Sequence, residues 1–193
     1  VVGGGATGIQ FLFLFEHFLR YHKYKNKLRL IDSGNQVLKQ FPDRFAGYVQ
    51  TLMANLNIEY YPTTYFRGQQ HGQIRLENKK TNDQFELPSS LAFLFSGKSQ
   101  SILLKTNTFG QLIVGQQVLQ HIFVAGDCSY YQSIGSNTLT AQSAVRKGKL
   151  AACNLLRHSG LLKILEPYLH RDIGYVISLG PSDAVGWLAL ENN

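Results

Sequence analysis

Val1-Val2-Gly3-Gly4-Gly5-Ala6-Thr7-Gly8 opens the sequence. Two valines followed by Gly3, Gly5 and Gly8 match G-x-G-x-x-G, the pattern of a buried strand that turns into a helix around a diphosphate. Each glycine has its own task. Gly3 permits the tight turn, Gly5 lets backbone N–H groups approach a pyrophosphate, and Gly8 lets the helix pack close to the strand. The phosphates then sit on the helix N-terminus, where unpaired N–H groups and the helix dipole favour anions. Gly4, Ala6 and Thr7 complete the candidate binding turn.

The flanks agree with this reading. Residues 9–21 contain neither Pro nor Gly and predict a helix, and residues 28–31 predict a short buried strand. Asp32 ends that strand, 24 residues beyond Gly8, near the ~20 expected of the ribose-binding carboxylate. A carboxylate there accepts hydrogen bonds from both adenosine ribose hydroxyls and repels a 2′-phosphate, so it favours NADH over NADPH. Ser33 adds no positive charge. Only Val1 and Val2 precede Gly3, whereas a buried strand normally has about 5–6 residues. The chain is therefore expected to begin inside a strand, as a piece of a longer protein.

Further along, Pro42 and Asp43 open a predicted helix over residues 43–55, with Phe45, Val49, Leu52 and Met53 on one face. Residues 58–61 predict a strand ended by Pro62, and residues 63–87 a β-meander with turns at Gly68, Gly72 and Asn82-Asp83. A short apolar strand over 91–95 follows. The polar, turn-rich stretch 97–108 reads as a domain boundary. Strands are predicted at 111–114 and 122–125, the second running into Gly126-Asp127-Cys128, and a polar loop over 129–137 leads to a helix over 139–157. On that helix Ala141, Ala144, Gly148 and Ala151 form a narrow smooth face, suited either to a flat ligand or to tight helix packing. Two last strands are predicted at 175–179 and 184–190.

Composition sets the bounds. The 193 residues are 44% hydrophobic and 16% charged, enough for a packed core. Two cysteines, Cys128 and Cys153, cannot make a disulfide framework, and no metal site is expected. No apolar run approaches the ~18–20 residues of a membrane-spanning helix. The formal charge of +7 is carried in small clusters such as Lys23, Lys25, Lys27 and Arg29, with no long basic stripe, so no nucleic-acid partner is expected.

Four blocks, in order, carry a resemblance. They are Val2–Gly8, Leu30-Ile31-Asp32, the stretch Ile122-Phe123-Val124-Ala125-Gly126-Asp127-Cys128, and Thr140-Ala141-Gln142-Ser143-Ala144 with Gly148; Ser178-Leu179-Gly180 is a fifth. The chain resembles the two-dinucleotide flavoprotein oxidoreductases, the FAD-dependent pyridine nucleotide-disulfide oxidoreductase-like proteins, and within them the type II NADH dehydrogenases. The resemblance implies an α/β fold. Residues 1–96 would form a Rossmann-like NAD(H)-binding domain with its β-meander, residues 97–160 the returning half of an FAD-binding domain, and residues 161–193 the start of a C-terminal β region. The family's first glycine fingerprint would lie upstream, and the family's C-terminal membrane-resting helices downstream.

By the same resemblance Gly3, Gly4, Gly5, Ala6, Thr7 and Gly8 would hold the NADH pyrophosphate and Asp32 its ribose, with Gly97 at a turn beside the nicotinamide. Gly126 and Asp127 would meet the FAD ribityl chain, and Thr140, Ala141 and Gln142 would lie under the flavin pyrimidine. Gln10 stands where the family commonly has Glu, and Arg146 where it commonly has Gln. The implied activity is hydride transfer from NADH to FAD and onward to an acceptor, a quinone. The implied setting is cytoplasmic, peripheral on the inner face of the cell membrane through parts outside this chain, with a homodimer as the implied assembly. No residue is assigned as catalytic. This piece alone is expected not to turn over. The alternatives are a related reductase of the sulfide:quinone or ferredoxin type, and a non-catalytic NAD(H)-binding module.

Overall fold

The computed structural model describes residues 1–95, 97, 103–133, 135–171 and 173–188. The chain divides into two compact units, one formed by Val1–Gly97 with the segment from Gly174, the other by Lys98–Ile173. The architecture is mixed α/β.

The first unit is built on short parallel strands. β1 (Arg29–Ile31) pairs in parallel with β2 (Glu59–Tyr61). Val2 bridges Ile31 on one side and Leu94 on the other, both in parallel. The order is therefore β2, β1, Val2, Leu94, with α1 (Ala6–Tyr21) connecting Val2 to β1 and α2 (Asp43–Asn55) connecting β1 to β2. The stretch predicted as a strand at 91–95 makes only this bridge, with Phe95 N–H donating to Val2 O at 2.7 Å.

Side-chain alternation on these strands sorts the core into two layers. Leu30 enters the larger layer with Ile9, Leu12 and Phe13 of α1 and Phe45, Val49 and Met53 of α2. Its neighbour Ile31 enters the other, with Ile74 and Leu76 of the meander. That meander is β3 (Thr64–Gln70), β4 (Gln73–Asn78) and β5 (Gln84–Pro88), antiparallel in that order, with a bulge between Phe66 and Gly68. The outer face of the helical layer is closed by a hairpin, β6 (Tyr175–Ser178) with β7 (Ala184–Trp187), which sends Ile177, Leu179 and Val185 into the larger cluster. Tyr175 meets Phe41 edge-on at 4.8 Å. The last two residues of the strand predicted at 184–190 lie outside the described residues, as do Ser96 and Ile134.

Both helices stop the same way. Lys23 and Asn57 take left-handed φ values of 58° and 55°. The following N–H groups, of Tyr24 and Ile58, donate to Leu19 O and Met53 O. These are Schellman closures, with a lysine and an asparagine where glycine is the usual residue.

Among the described residues the second unit holds a four-stranded sheet and one α-helix. Its strands are β8 (Leu104–Thr106), β9 (Gln111–Val114), β10 (Gln117–Phe123) and β11 (Ser129–Tyr131), in the order β10-β9-β8-β11, with β8 and β11 parallel. β8 lies inside the stretch read as a boundary and β11 inside the stretch read as a loop. Each has only three residues, too few for a period-two pattern to show. α3 (Ala141–His158) packs on this unit through Ser143, Lys147 and Asn154, its buried residues. The small-residue stripe is not the packed face: Ala141 is exposed, Ala144, Gly148 and Ala151 are half-buried, and a Cβ on Gly148 would meet nothing within 4 Å.

Candidate functional site

In the first unit a cleft of about 440 Å³ opens at the carboxyl ends of the parallel strands, the place where open α/β sheets bind ligands. Gly3, Gly4, Gly5, Asp32 and Gly97 line it, so most of the predicted nucleotide residues come together there. Ala6, Thr7 and Gly8 form the first turn of α1 beside it.

The four glycines separate cleanly by what a side chain would meet. A Cβ on Gly3 would lie 2.3 Å from Phe95 O, at φ 110°, and one on Gly8 would lie 2.0 Å from Gly3 O. A Cβ on Gly4 would fall 2.2 Å from Asp32 Oδ2. Gly5 differs: a Cβ there would meet nothing within 4 Å. Gly3, Gly4 and Gly8 are thus required by the protein's own packing, whereas Gly5 faces space. Gly5 is also the N-cap of α1, with extended backbone and no side-chain cap, and the first turn carries no acidic residue. An uncapped helix start over an open glycine is a cradle for a diphosphate.

Asp32 stands where β1 ends. Gly34 N–H donates to its Oδ1 at 3.1 Å, while Oδ2 is the oxygen turned toward Gly4. The carboxylate is therefore fixed on one side and presented to the glycine turn on the other. Thr64, Tyr65, Phe66, Leu94 and Phe95 also line the cleft, and the sequence reading did not include them. Their position just past the ends of neighbouring strands was the available clue. Thr64 is tied to this rim, its N–H donating to Asp32 O at 2.9 Å. Behind Asp32, Tyr60 buries a hydroxyl with no hydrogen-bond partner in the structure. Burial, with the Asp32 charge adding to it, pushes this phenol up to about 12.

In the second unit the predicted residues fall on two neighbouring pieces. Gly126, Asp127 and Cys128 form one turn of 3-10 helix between β10 and β11. Gly126 has φ 76° and open space where a Cβ would go. Thr140 caps α3, its Oγ1 accepting from Ser143 N–H at 3.2 Å, and Ala141 and Gln142 are exposed in the first turn. Beneath both pieces lies Lys147, 2% exposed. Its ammonium donates to Ser129 O at 3.3 Å and stands over the Tyr131 ring at 5.0 Å. Burial lowers the pKa of this lysine, and its electrostatic interaction with Asp127 and Cys128 opposes that effect. Cys128 is exposed, with its thiol donating to Ala125 O at 3.3 Å. Among the described residues no cluster of His, Cys, Asp or Glu could hold a metal ion, and no helix is long and apolar enough to cross a membrane.

Residues 1–148 match the model of one protein family, the pyridine nucleotide-disulphide oxidoreductases. The chain belongs to this family. As a pyridine nucleotide-disulphide oxidoreductase it has structural neighbours of the same fold. NDH2 from Plasmodium falciparum in complex with NADH superimposes with a TM-score of 0.79 at 15% identity, over 97% of this chain and 56% of that one. The same protein in complex with RYL-552 gives 0.73 at 14% identity, over 98% and 57%. The covalent putidaredoxin reductase–putidaredoxin complex gives 0.64 at 15% identity, over 92% and 43%. The chain thus spans little more than half the length of the NDH2 structures it matches. No curated protein matches the sequence.

Proposed function

We propose that this chain is the NADH-binding part and one side of the flavin-binding part of an NADH dehydrogenase. Hydride passes from NADH to FAD, and electrons go on to an acceptor, a quinone. One observation carries the nucleotide half: Asp32 Oδ2 faces the glycine turn whose Gly5 alone opens on space. A diphosphate seated on the start of α1 then places a ribose beside that carboxylate, which accepts from both hydroxyls and repels a 2′-phosphate. In this reading residues 1–96 are the NAD(H)-binding domain, 97–160 the returning half of the FAD domain, and 161–193 the start of the C-terminal β region.

The residues of the second unit fit a flavin nucleotide. Gly126 leaves room for close approach, Asp127 sits in the single 3-10 turn past the end of β10 where it can accept from a ribityl hydroxyl, and the exposed first turn of α3 directs N–H groups outward at Ala141 and Gln142. That positive helix end stabilises negative charge on a flavin ring. Bound FAD would supply the hydride-accepting chemistry. The protein's part is to bind, orient and shield, and hydride transfer requires no side-chain acid or base. A cytoplasmic, membrane-peripheral homodimer belongs to the same proposal. Likeness in fold to putidaredoxin reductase keeps a protein acceptor as the second reading.

The test is anaerobic addition of NADH to the purified full-length protein, followed by a short-chain quinone. Bleaching of the flavin absorbance by NADH, with recovery on adding quinone, is the expected result. NADH binding with no bleaching overturns the dehydrogenase reading in favour of a binding module, and bleaching without recovery moves the acceptor to another class. Asp32→Ala should weaken NADH binding about ten- to a hundredfold, the cost of losing hydrogen bonds to a charged acceptor, and leave NADPH binding nearly unchanged. Unaltered preference between the two nucleotides removes the role given to Asp32.

A further inference from the structure

Lys147 is an expensive residue to bury. Its side chain lies on the inward face of α3, 2% exposed. An ammonium has three hydrogens to donate. Ser129 O takes one at 3.3 Å, and the Tyr131 and Tyr168 rings lie 5.0 and 6.0 Å away as cation–π partners. A methionine or leucine would fill the same space without the desolvation cost. The Asp127 carboxylate and the Cys128 thiol, both in the turn before β11, interact with it electrostatically. Lys147 therefore joins the two pieces on which the candidate flavin residues sit: it is anchored in α3, six residues past Ala141, and reaches the end of the Gly126–Cys128 turn.

We propose that Lys147 is a positioning residue for the flavin side, its ammonium tying the end of the Gly126–Cys128 turn to α3 through Ser129 O and so keeping Asp127 aimed at a polyhydroxyl chain. The inference rests on the reading that FAD is held by Asp127. It assigns to Lys147 an effect on cofactor binding that a space-filling role lacks. The action is local: removing the ammonium leaves the turn without its tie to the helix.

The experiment uses the full-length protein stripped of flavin and titrated with FAD, with NADH affinity as the control for folding. Lys147→Met should weaken FAD binding about tenfold or more, the scale of one charge-assisted hydrogen bond, and shift the flavin midpoint potential, with NADH affinity unchanged. Asp127→Asn should weaken FAD to a similar degree, and the double variant should be little weaker than either single one, since Lys147 acts on FAD through the placement of Asp127. Wild-type FAD affinity in Lys147→Met overturns the proposal, as do losses that simply add in the double variant. If Lys147→Met also loses NADH binding, Lys147→Gln decides: it stays polar but is one atom too short to reach Ser129 O, so it must show the same FAD loss, and wild-type affinity there overturns the proposal. A wild-type protein with no FAD affinity overturns the flavin reading itself together with this inference. Normal wild-type affinity with unaffected variants overturns this inference alone.

Discussion

Leu30 in the first unit and Asn154 in the second are both 0% exposed, yet they hold their surroundings by opposite means. Leu30 sits among apolar side chains from two helices and a hairpin. Asn154 sits among backbone polar groups, its amide donating to Phe109 O at 2.9 Å and Glu166 O at 2.8 Å while its carbonyl accepts from Glu166 N–H at 3.0 Å. The contrast extends to the units as wholes. Both apolar clusters of the described residues belong to the first. The second buries Thr106, Gln111, Ser129, Ser136, Ser143, Lys147 and Asn154. Gln111 there bonds Asn107 and Gln120 O, and Ser143 bonds the Tyr168 hydroxyl. Polar seams of this kind demand geometry, because each unpaired group costs about 1–3 kcal/mol. Apolar packing tolerates small shifts more readily. The candidate nucleotide cleft is thus mounted on a conventional core, and the candidate flavin residues on a hydrogen-bonded frame whose register is set by a few side chains.

Substitutions in the two units sharpen or break this contrast. Leu30→Ala should cost about 3 kcal/mol, within the usual range for a buried leucine. Denaturation followed by Trp187, the sole tryptophan and part of the first unit, measures it; a loss well under 1 kcal/mol would mean that the layer is not a packed core. Asn154→Ala should cost about 2–3 kcal/mol, since it strands two carbonyls and an N–H at once. Hydrogen exchange should rise in residues 104–168 rather than around Trp187, and a uniform rise over the whole chain would erase the distinction between the units.

Tyr60→Phe should stabilise the first unit by about 1 kcal/mol, because it removes a buried hydroxyl that has no partner. The pH dependence has a definite sign. With this phenol held near 12 in the folded chain against about 10 when unfolded, the unfolded state loses the proton first, so the stability in question is present below pH 10 and is lost as pH rises from 10 toward 12. Tyr60→Phe should flatten that alkaline decline, and an unchanged slope would show that Tyr60 does not cause it. The smallest expected effect is Lys23→Gly. Removing a left-handed, non-glycine residue from the closure of α1 should raise stability by about 0.5–1 kcal/mol, read as a small upward shift of the thermal midpoint. A drop would mean that the lysine side chain contributes more than its backbone strain costs.

The local reading reached far in the first unit. G-x-G-x-x-G, a helix without breakers and an apolar strand ending in Asp32 are short-range patterns, and the pieces they specify meet where expected. What the sequence could not show was which glycine opens on space and which serve the fold. That distinction depends on Phe95 O, Asp32 Oδ2 and Gly3 O arriving beside Gly3, Gly4 and Gly8, the first two from strands distant in sequence. In the second unit the reading was poorer, because β8 and β11 have three residues each and the buried face of α3 is polar. A stripe of serine, lysine and asparagine looks like a solvated face to any hydrophobic count.

By itself, then, the sequence determined the α/β class, the two longer helices of the first unit, the turn that begins the first of them and the carboxylate opposite it, since each rests on contacts within a few residues or on a fixed spacing. Tertiary structure alone decided that the hairpin from Tyr175 closes the first unit, that Thr64 and Phe95 rim the cleft, and that Lys147 is buried against Ser129 and Tyr131. The physical reason is that a side chain's burial and charge environment are set by what packs against it from elsewhere in the chain, and one-dimensional periodicity records only which face turns inward.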